Sequence, residues 1–120
     1  MTGPIFDTHA HYSAHAFDAD RFALLDSLPA KGVVGVCEQA THSGDAPRVL
    51  ELAHRYPWVV AAIGIHPESL LAPEDCGADG PAPTVSVYGG DWAAEMRALA
   101  PYYDDPKVVA VGECGLDYHW

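Results

Sequence analysis

The sequence is poor in positive charge. Its 120 residues include six Lys and Arg against seventeen Asp and Glu, which gives a formal net charge of −11. Proteins that wrap duplex nucleic acid through phosphate contacts need clustered Lys and Arg, so that class is excluded. An enzyme that meets phosphate groups through bound metal ions stays compatible with this charge.

Cysteines and long hydrophobic runs are also scarce. The three cysteines are an odd number without a C-x-x-C pair, which argues against a disulfide framework and a paired-thiol metal site. The longest nearly apolar stretch, 58–65, is much shorter than a membrane span, and the first residues lack the basic and apolar regions of a secretory signal. We therefore expect a cytoplasmic protein that does not span a membrane.

Apolar residues, by contrast, are plentiful. They make up 49% of the chain and charged residues only 19%, a balance that excludes a disordered protein. The length suits one ordinary domain, so residues 1–120 are predicted to form a single domain.

Four short apolar runs predict strands at 4–8, 33–37, 59–65 and 108–111. Helices are predicted between them. The first is capped by Asp18, ends near residue 28 and carries Phe22, Leu25 and Leu28 on one stripe. The second is capped by Asp45, carries a stripe of apolar residues from Val49 to Tyr56 and is stopped by Pro57, and the third is marked by Trp92 and ended by Pro101. Residues 71–90 read as a long loop. The alternation predicts an α/β fold of about four parallel strands with three crossover helices.

The predicted sheet has two open edges. Natural proteins usually cover or close such edges, so we expect the chain to be part of a larger barrel or to self-associate through them. Two copies could pair their edges into a closed dimer.

The first strand ends in D-T-H-A-H, residues 7–11. Side chains two apart on a strand point to the same side, so His9 and His11 project together. Two neutral imidazoles can hold one divalent ion. The alternative is a pair of surface histidines without a role.

Two further candidates follow the third and fourth predicted strands. His66 lies in G-I-H-P-E and Glu113 in G-E-C-G-L-D-Y. Because parallel α/β folds place their chemistry at the carboxyl ends of strands, both should share one rim with His9 and His11. Each has a structural alternative: Glu113 as a turn cap, and His66 as a loop histidine bonded to backbone.

The remaining histidines are weaker candidates. His54 falls within a predicted helix beside Arg55, and we expect it to be solvated. His42 follows the second strand with Glu38 nearby, so it is a secondary candidate for the rim.

Taken together, F-D-T-H-A-H, G-I-H-P and V-A-V-G-E-C-G-L-D-Y resemble the motifs of the TatD family of metal-dependent deoxyribonucleases, within the amidohydrolase-like barrels. The last motif is the most specific, whereas H-x-H is shared by the wider superfamily. The resemblance implies a partial (β/α)8 TIM-type barrel, which needs about 250 residues when complete. Residues 1–120 would be its amino-terminal half.

The resemblance also implies an activity, which is 3′-to-5′ exonuclease-like hydrolysis of DNA phosphodiester bonds by water that two divalent ions activate. His9 and His11 would hold one ion, Glu113 would bridge it to the second as the catalytic residue, and His66 would contact the substrate phosphate. Imidazole and carboxylate ligands do not distinguish Zn²⁺, Mn²⁺ and Mg²⁺.

Two further histidines and an aspartate, which later strands supply in the family, are not in this sequence, so the isolated chain is expected to be weakly active or inactive. Two other functions stay open on the residues alone: a non-catalytic, truncated metal-binding fragment, and another amidohydrolase-like hydrolase that acts on an amide or ester.

Overall fold

The computed structural model describes residues 3–70 and 86–116. Within them, strands and α-helices alternate along the chain as the sequence predicts, in the order β1 (Ile5–Ala10), α1 (Arg21–Ser27), β2 (Val33–Gln39), α2 (Ala46–Arg55), β3 (Val59–Ile63), α3 (Trp92–Leu99) and β4 (Val108–Val111). The four strands are parallel and lie in the order β1-β2-β3-β4. The predicted α/β fold with crossover helices is confirmed.

The hydrophobic core lies between the sheet and its helices. Helix α2 repeats apolar residues at helical spacing, and the predicted stripe from Val49 to Tyr56 is buried against β2 and β3. Helices α1 and α3 contribute Leu25 and Leu99, each at most 1% exposed. Burial of a large aliphatic side chain stabilises a fold by about 1.5–3 kcal/mol, so these contacts fix how the helices lie against the sheet.

The prediction for the first helix is wrong in two details. A 3-10 turn at His15–Phe17 precedes α1, which begins at Arg21. Asp18 caps no helix, because its carboxylate accepts a hydrogen bond from Arg21 Nη2 at 2.7 Å and contacts His15 Nδ1 at 2.9 Å. Arg21 is buried on the inner stripe of α1, whereas Phe22, expected there, is 37% exposed.

The other predicted boundaries shift by a few residues. Strands β1 and β2 each extend two residues further, and β3 ends at Ile63 instead of 65. Helix α3 continues past Pro101 as a 3-10 helix to Asp104, since proline is tolerated at the start of a new helical segment. Of the predicted loop 71–90, residues 71–85 lie outside the described part of the chain.

The amino end of the sheet is held by charged side chains that are paired. Lys107 Nζ donates to the carbonyl oxygens of Tyr56, Pro57 and Val59 at 3.2, 3.2 and 2.9 Å. His54 is not merely solvated, as its position on a helix suggested: its Nε2 lies 2.6 Å from Asp105 Oδ2. The hydrogen bond from His54, followed by that from the Lys107 amide, lowers the pKa of Asp105.

Strands β1 and β4 each have a single neighbour among the described residues, so the predicted open edges are present. Apolar side chains are exposed on both, including Phe6 (52%) and Val111 (71%). Of the cysteines, Cys37 is buried and Cys114 exposed as free thiols, and Cys76 falls outside the described ranges. Over those same ranges, none of the helices has the length and hydropathy that spanning a bilayer requires.

Candidate metal centre

The loops at the carboxyl ends of the strands are joined by backbone hydrogen bonds. The Glu113 N–H donates to the carbonyl of Ala40 at 3.2 Å, and the His66 N–H donates to that of Thr41 at 2.8 Å. Gly112 extends the ladder by donating to Ile63 at 3.0 Å. The loops after β2, β3 and β4 therefore form one rim, and the side chains on it have fixed starting points.

Gly64 allows this rim to close. A Cβ at that position would lie 2.4 Å from the Glu113 carbonyl oxygen and 2.6 Å from the Gly112 carbonyl carbon. Only glycine permits such a close approach of two backbones. The glycine in G-I-H-P thus brings the chain that carries His66 against the chain that carries Glu113.

Three of the predicted residues meet at this rim. His9 Nε2 and His11 Nε2 lie 3.1 Å apart, and they are 3.5 and 3.2 Å from Glu113 Oε2. The three side chains offer ligand atoms that all lie within 4.8 Å of one another. The structure therefore brings together the strand-end imidazoles and the carboxylate, as the positions of these residues in the sequence predict.

His66, the fourth predicted residue, contacts the other oxygen of the same carboxylate. Its Nε2 is 3.3 Å from Glu113 Oε1, and its Nδ1 accepts a hydrogen bond from the Glu68 N–H at 3.1 Å. Because Nδ1 accepts, the neutral ring carries its proton on Nε2. His66 thus presents an N–H donor beside Glu113.

The donor set fits a divalent cation. Glu113 Oε2 is buried and has no hydrogen-bond partner in the described part of the chain, although two imidazole nitrogens approach it. Such a buried orphan atom is costly unless an ion or a proton satisfies it. No backbone N–H of the described residues donates to this carboxylate, so Glu113 does not act as a turn cap there.

A buried pair of charged residues fixes the loop that follows His11. Glu38, fully buried, accepts a hydrogen bond from the Ser13 N–H at 2.6 Å. Arg21 donates from Nε to the Tyr12 carbonyl at 2.6 Å, and from Nη2 to those of Ser13 and Ala14 at 3.0 and 2.8 Å. Burial raises the pKa of Glu38. Glu38 therefore binds a backbone N–H of this loop, and Arg21 binds three of its backbone carbonyls.

The loop after β2 is held in a similar way. Asp45 accepts from the Thr41 N–H at 3.0 Å and the Thr41 hydroxyl at 2.5 Å, as well as from the His42 N–H at 3.2 Å. The buried Glu95 of α3 accepts from the Ser43 N–H. Burial by itself would raise the pKa of Glu95, but hydrogen bonds from Ser86 and Ser43 outweigh it and lower the pKa.

Sequence reasoning identified the candidate ligands but missed their supports. Arg21 and Glu38 were not predicted to be buried, because a charged residue beside apolar ones is ordinarily exposed. The available signal was an Arg at the i−4 position from Leu25, on the stripe that faces the core. His42, the secondary candidate for the rim, is not part of the metal-ligand group, but it lines the adjacent cleft together with His11.

Comparison with known proteins gives a consistent result. Residues 6–120 match the family model described as TatD related DNase. The chain is 32% identical to the human deoxyribonuclease TATDN3 over 95% of its length, and 30% identical to the 3′-5′ ssDNA/RNA exonuclease TatD of Cronobacter turicensis over 96%. The crystal structure of the TatD homologue YjjV from Escherichia coli superposes with a TM-score of 0.71 at 31% identity over 97% of the chain. The chain spans 37–39% of the length of these relatives.

Proposed function

The chain belongs to the TatD-related DNase family, and on that premise we propose that it is the amino-terminal half of a metal-dependent hydrolase that cleaves phosphodiester bonds of DNA. Residues 1–120 would form a single domain, about half of a TIM-type barrel. An odd number of cysteines favours the reducing cytoplasm as its compartment. The names of the relatives support DNA or a related phosphodiester as the substrate.

In this proposal His9, His11 and Glu113 hold the cation, and the orphaned Glu113 Oε2 between two imidazole nitrogens is the observation that carries it. When bound, divalent ions lower the pKa of a water molecule and offset the charge of the phosphate. Glu113 has a second oxygen, so its carboxylate can bridge two ions, of which Zn²⁺, Mn²⁺ and Mg²⁺ are the candidates.

The protein's own groups position the substrate. His66 directs its Nε2 proton to the place where Glu113 Oε1 now lies 3.3 Å away, and a phosphate oxygen is an acceptor of the same kind. Glu113 Oε2 lies 3.5 and 3.2 Å from the Nε2 atoms of His9 and His11, and the Glu38 and Arg21 contacts hold the loop that follows His11. The half-site of three ligands predicts weak ion binding and little or no turnover by the isolated chain.

Thermal unfolding with and without metal tests the proposal. A ligand that binds only the folded state raises stability by about 2.7 kcal/mol at a hundredfold excess over Kd. Added Zn²⁺ or Mn²⁺ should raise the Tm of the chain and of Glu51→Gln, an exposed carboxylate on α2, but not that of Glu113→Gln. Equal shifts in both variants, or no shift in the parent chain, would contradict the assignment.

A labelled single-stranded DNA incubated with the chain and each ion tests the expected weakness of the half-site. We expect slow or absent digestion, because the candidate ligands in the described part of the chain form one group of three, enough for one cation. Robust digestion that His9→Ala abolishes would show that this chain suffices as a nuclease and would overturn the proposal of an incomplete site.

The open sheet edges support a second possibility, self-association of two chains. Phe6 on β1 and Val111 on β4 are more than half exposed, and edge pairing would bury apolar surface of this kind. Light scattering that gives the mass of a dimer supports this arrangement, and the mass of a monomer excludes it.

A further inference from the structure

A cleft of about 340 Å³ opens beside the metal-ligand group, between the loop after β1 and the loop after β2. His11 forms one wall of it, so the cleft and the candidate metal site share a side chain. His15, His42 and Arg48 line the rest, together with the first turn of α2. A ligand in this cleft would therefore lie next to a group bound at the rim.

The hydrogen-bond donors of the cleft are largely unused. Arg48 donates from Nη1 to the Ser13 carbonyl at 3.2 Å, and the same nitrogen lies 3.3 Å from His15 Nδ1 and 3.8 Å from Asp18 Oδ1. Its Nε and Nη2 have no partner within residues 3–70 and 86–116. These two nitrogens form the planar fork that binds two oxygens of a phosphate or carboxylate at once.

His42 adds a further donor. Its Nδ1 accepts the Gly44 N–H at 2.9 Å, so the neutral ring carries its proton on Nε2. Arg48 and His42 thus both line the cleft, and each has N–H groups for which the described chain supplies no acceptor.

The carboxylates of the cleft, by contrast, are already in use. Asp45 accepts the three hydrogen bonds from the Thr41 and His42 segment. Asp18, nearby, is bound to Arg21 and His15, and their hydrogen bonds lower its pKa to about 2. A site whose acceptors are occupied and whose donors are free selects a ligand rich in acceptors. A phosphate or carboxylate can make charge-assisted hydrogen bonds to both nitrogens of the Arg48 fork, whereas a cationic ligand would be repelled by it.

We propose that this cleft binds a phosphate group, with Arg48 as its principal contact and His42 as the second. In the context of the proposed function, on which this identification of the ligand rests, the group is the phosphate next to the one cleaved, so the cleft sets the position of the strand. A free phosphate or a mononucleotide presents the same chemistry. The site is separate from the ligands of the cation and should bind phosphate without it.

The test is a titration in EDTA, which keeps the metal site out of the measurement. The probes are inorganic phosphate, thymidylyl dinucleotide and the same dinucleotide with a 5′-phosphate, and the readout is the NMR shift of the His15 and His42 rings. Arg48→Gln should weaken binding of the phosphate probes roughly tenfold, the loss expected for a charged, bidentate hydrogen bond. Arg97→Gln removes the same charge from an exposed position on α3 and should bind as the parent does.

The three phosphate probes distinguish a nucleic-acid strand from a free anion as the ligand. Tighter binding of the dinucleotides supports a nucleic-acid strand, and equal binding of inorganic phosphate supports a free anion. His42→Ala, which removes the second proposed contact, keeps the proposal testable if Arg48→Gln does not fold, and it should weaken binding two- to threefold with the His15 ring as the readout. Equal affinities of Arg48→Gln and Arg97→Gln, or no saturable shift of either ring, overturn the proposal. Phosphate binding without a metal-induced Tm shift would instead refute only the proposed metal site.

Discussion

The two ends of the sheet differ in how completely their polar side chains are hydrogen-bonded. At the amino end, Lys107 binds three carbonyl oxygens, and His54 pairs with Asp105. At the carboxyl end, Glu113 Oε2 is buried without a hydrogen bond, and the Arg48 fork has no acceptor among the described residues. Satisfied groups stabilise a fold, whereas unsatisfied ones identify where a ligand is expected.

The difference has a physical origin in strand direction. Parallel strands bring all their carboxyl ends to one edge, and the loops there carry side chains without needing to close the core. The amino-end loops instead receive chain from α2 and α3 and must hold it in place. Substitutions at the amino end should therefore change stability alone, and substitutions at the carboxyl end should change ligand binding.

Gly64→Ala should have the strongest consequence of these substitutions, because it should destabilise the carboxyl end of the sheet as well as weaken ligand binding there. A Cβ would contact the backbone of Gly112 and Glu113, and neither can move without disturbing the rim. We expect unfolding free energy to fall by about 3 kcal/mol or more, with loss of the metal-induced rise in Tm. Gly3→Ala, where a Cβ meets nothing within 4 Å, should be neutral. Parent-like stability of Gly64→Ala would show that the rim is looser than described.

Lys107→Met should have the next largest effect, at the other end. It removes the donor for three carbonyl oxygens, at a cost of about 2 kcal/mol, while the metal-induced rise in Tm persists. Denaturant unfolding measures the loss of stability, and thermal unfolding with and without metal measures the rise in Tm. Lys31→Met changes the same charge at an exposed turn and should cost less than about 0.5 kcal/mol. If Lys107→Met lost the metal-induced rise in Tm, amino-end substitutions would not change stability alone, and this prediction would be wrong.

Glu38→Gln should change how stability depends on pH. Burial raises the pKa of Glu38 above its usual 4.5, so the unfolded chain ionises first as pH rises. The parent should lose stability as pH increases from about 4.5 to the folded pKa, and the variant should lack this slope. Glu51→Gln, exposed on α2, should retain it. Chemical unfolding at a series of pH values gives the stability of each protein as a function of pH. The same slope in the parent and in Glu38→Gln would contradict a buried Glu38 that titrates in this range.

Asp105→Asn should have the smallest effect and the opposite pH dependence. The pKa of Asp105 is lowered below 3.8 by the hydrogen bond from His54, so its contribution is complete above about pH 3.8 and fades as pH falls through the folded pKa. The variant should melt slightly below the parent at pH 7, with the gap closing in acid. Asp104→Asn, its exposed neighbour, is the matched control. A gap that widens in acid would refute the pairing with His54.

The sequence predicted the elements whose residue types mark them clearly. Strand β4 falls at 108–111 as its β-branched run indicates, and α3 begins at Trp92, which marked it, and ends at Leu99, shortly before Pro101. Its cap, Asp91, which accepts from the Ala94 N–H, was not predicted. The meeting of His9, His11, Glu113 and His66 followed from the rule that parallel strands share a carboxyl edge. Their roles as ligands and as a phosphate contact remain predictions.

The features that sequence reasoning missed depend on distant partners. Asp18 looked like a helix cap, but Arg21 and His15 compete for its carboxylate. Glu38 sits 25 residues from the amide it accepts from, and His54 is 51 residues from Asp105. Local spacing carries no information about such pairs, because the fold that joins them must exist first.

The backbone bonds that join the loops after β2, β3 and β4 also bear on how this rim could change over evolutionary time. The backbone N–H of Glu113 donates to Ala40 and that of His66 donates to Thr41, and every residue type except proline supplies such a donor. Side chains such as His42 and Arg48 are therefore replaceable without displacing the carboxylate. Ligand preference can therefore change at these side chains while the backbone keeps the candidate metal ligands in place.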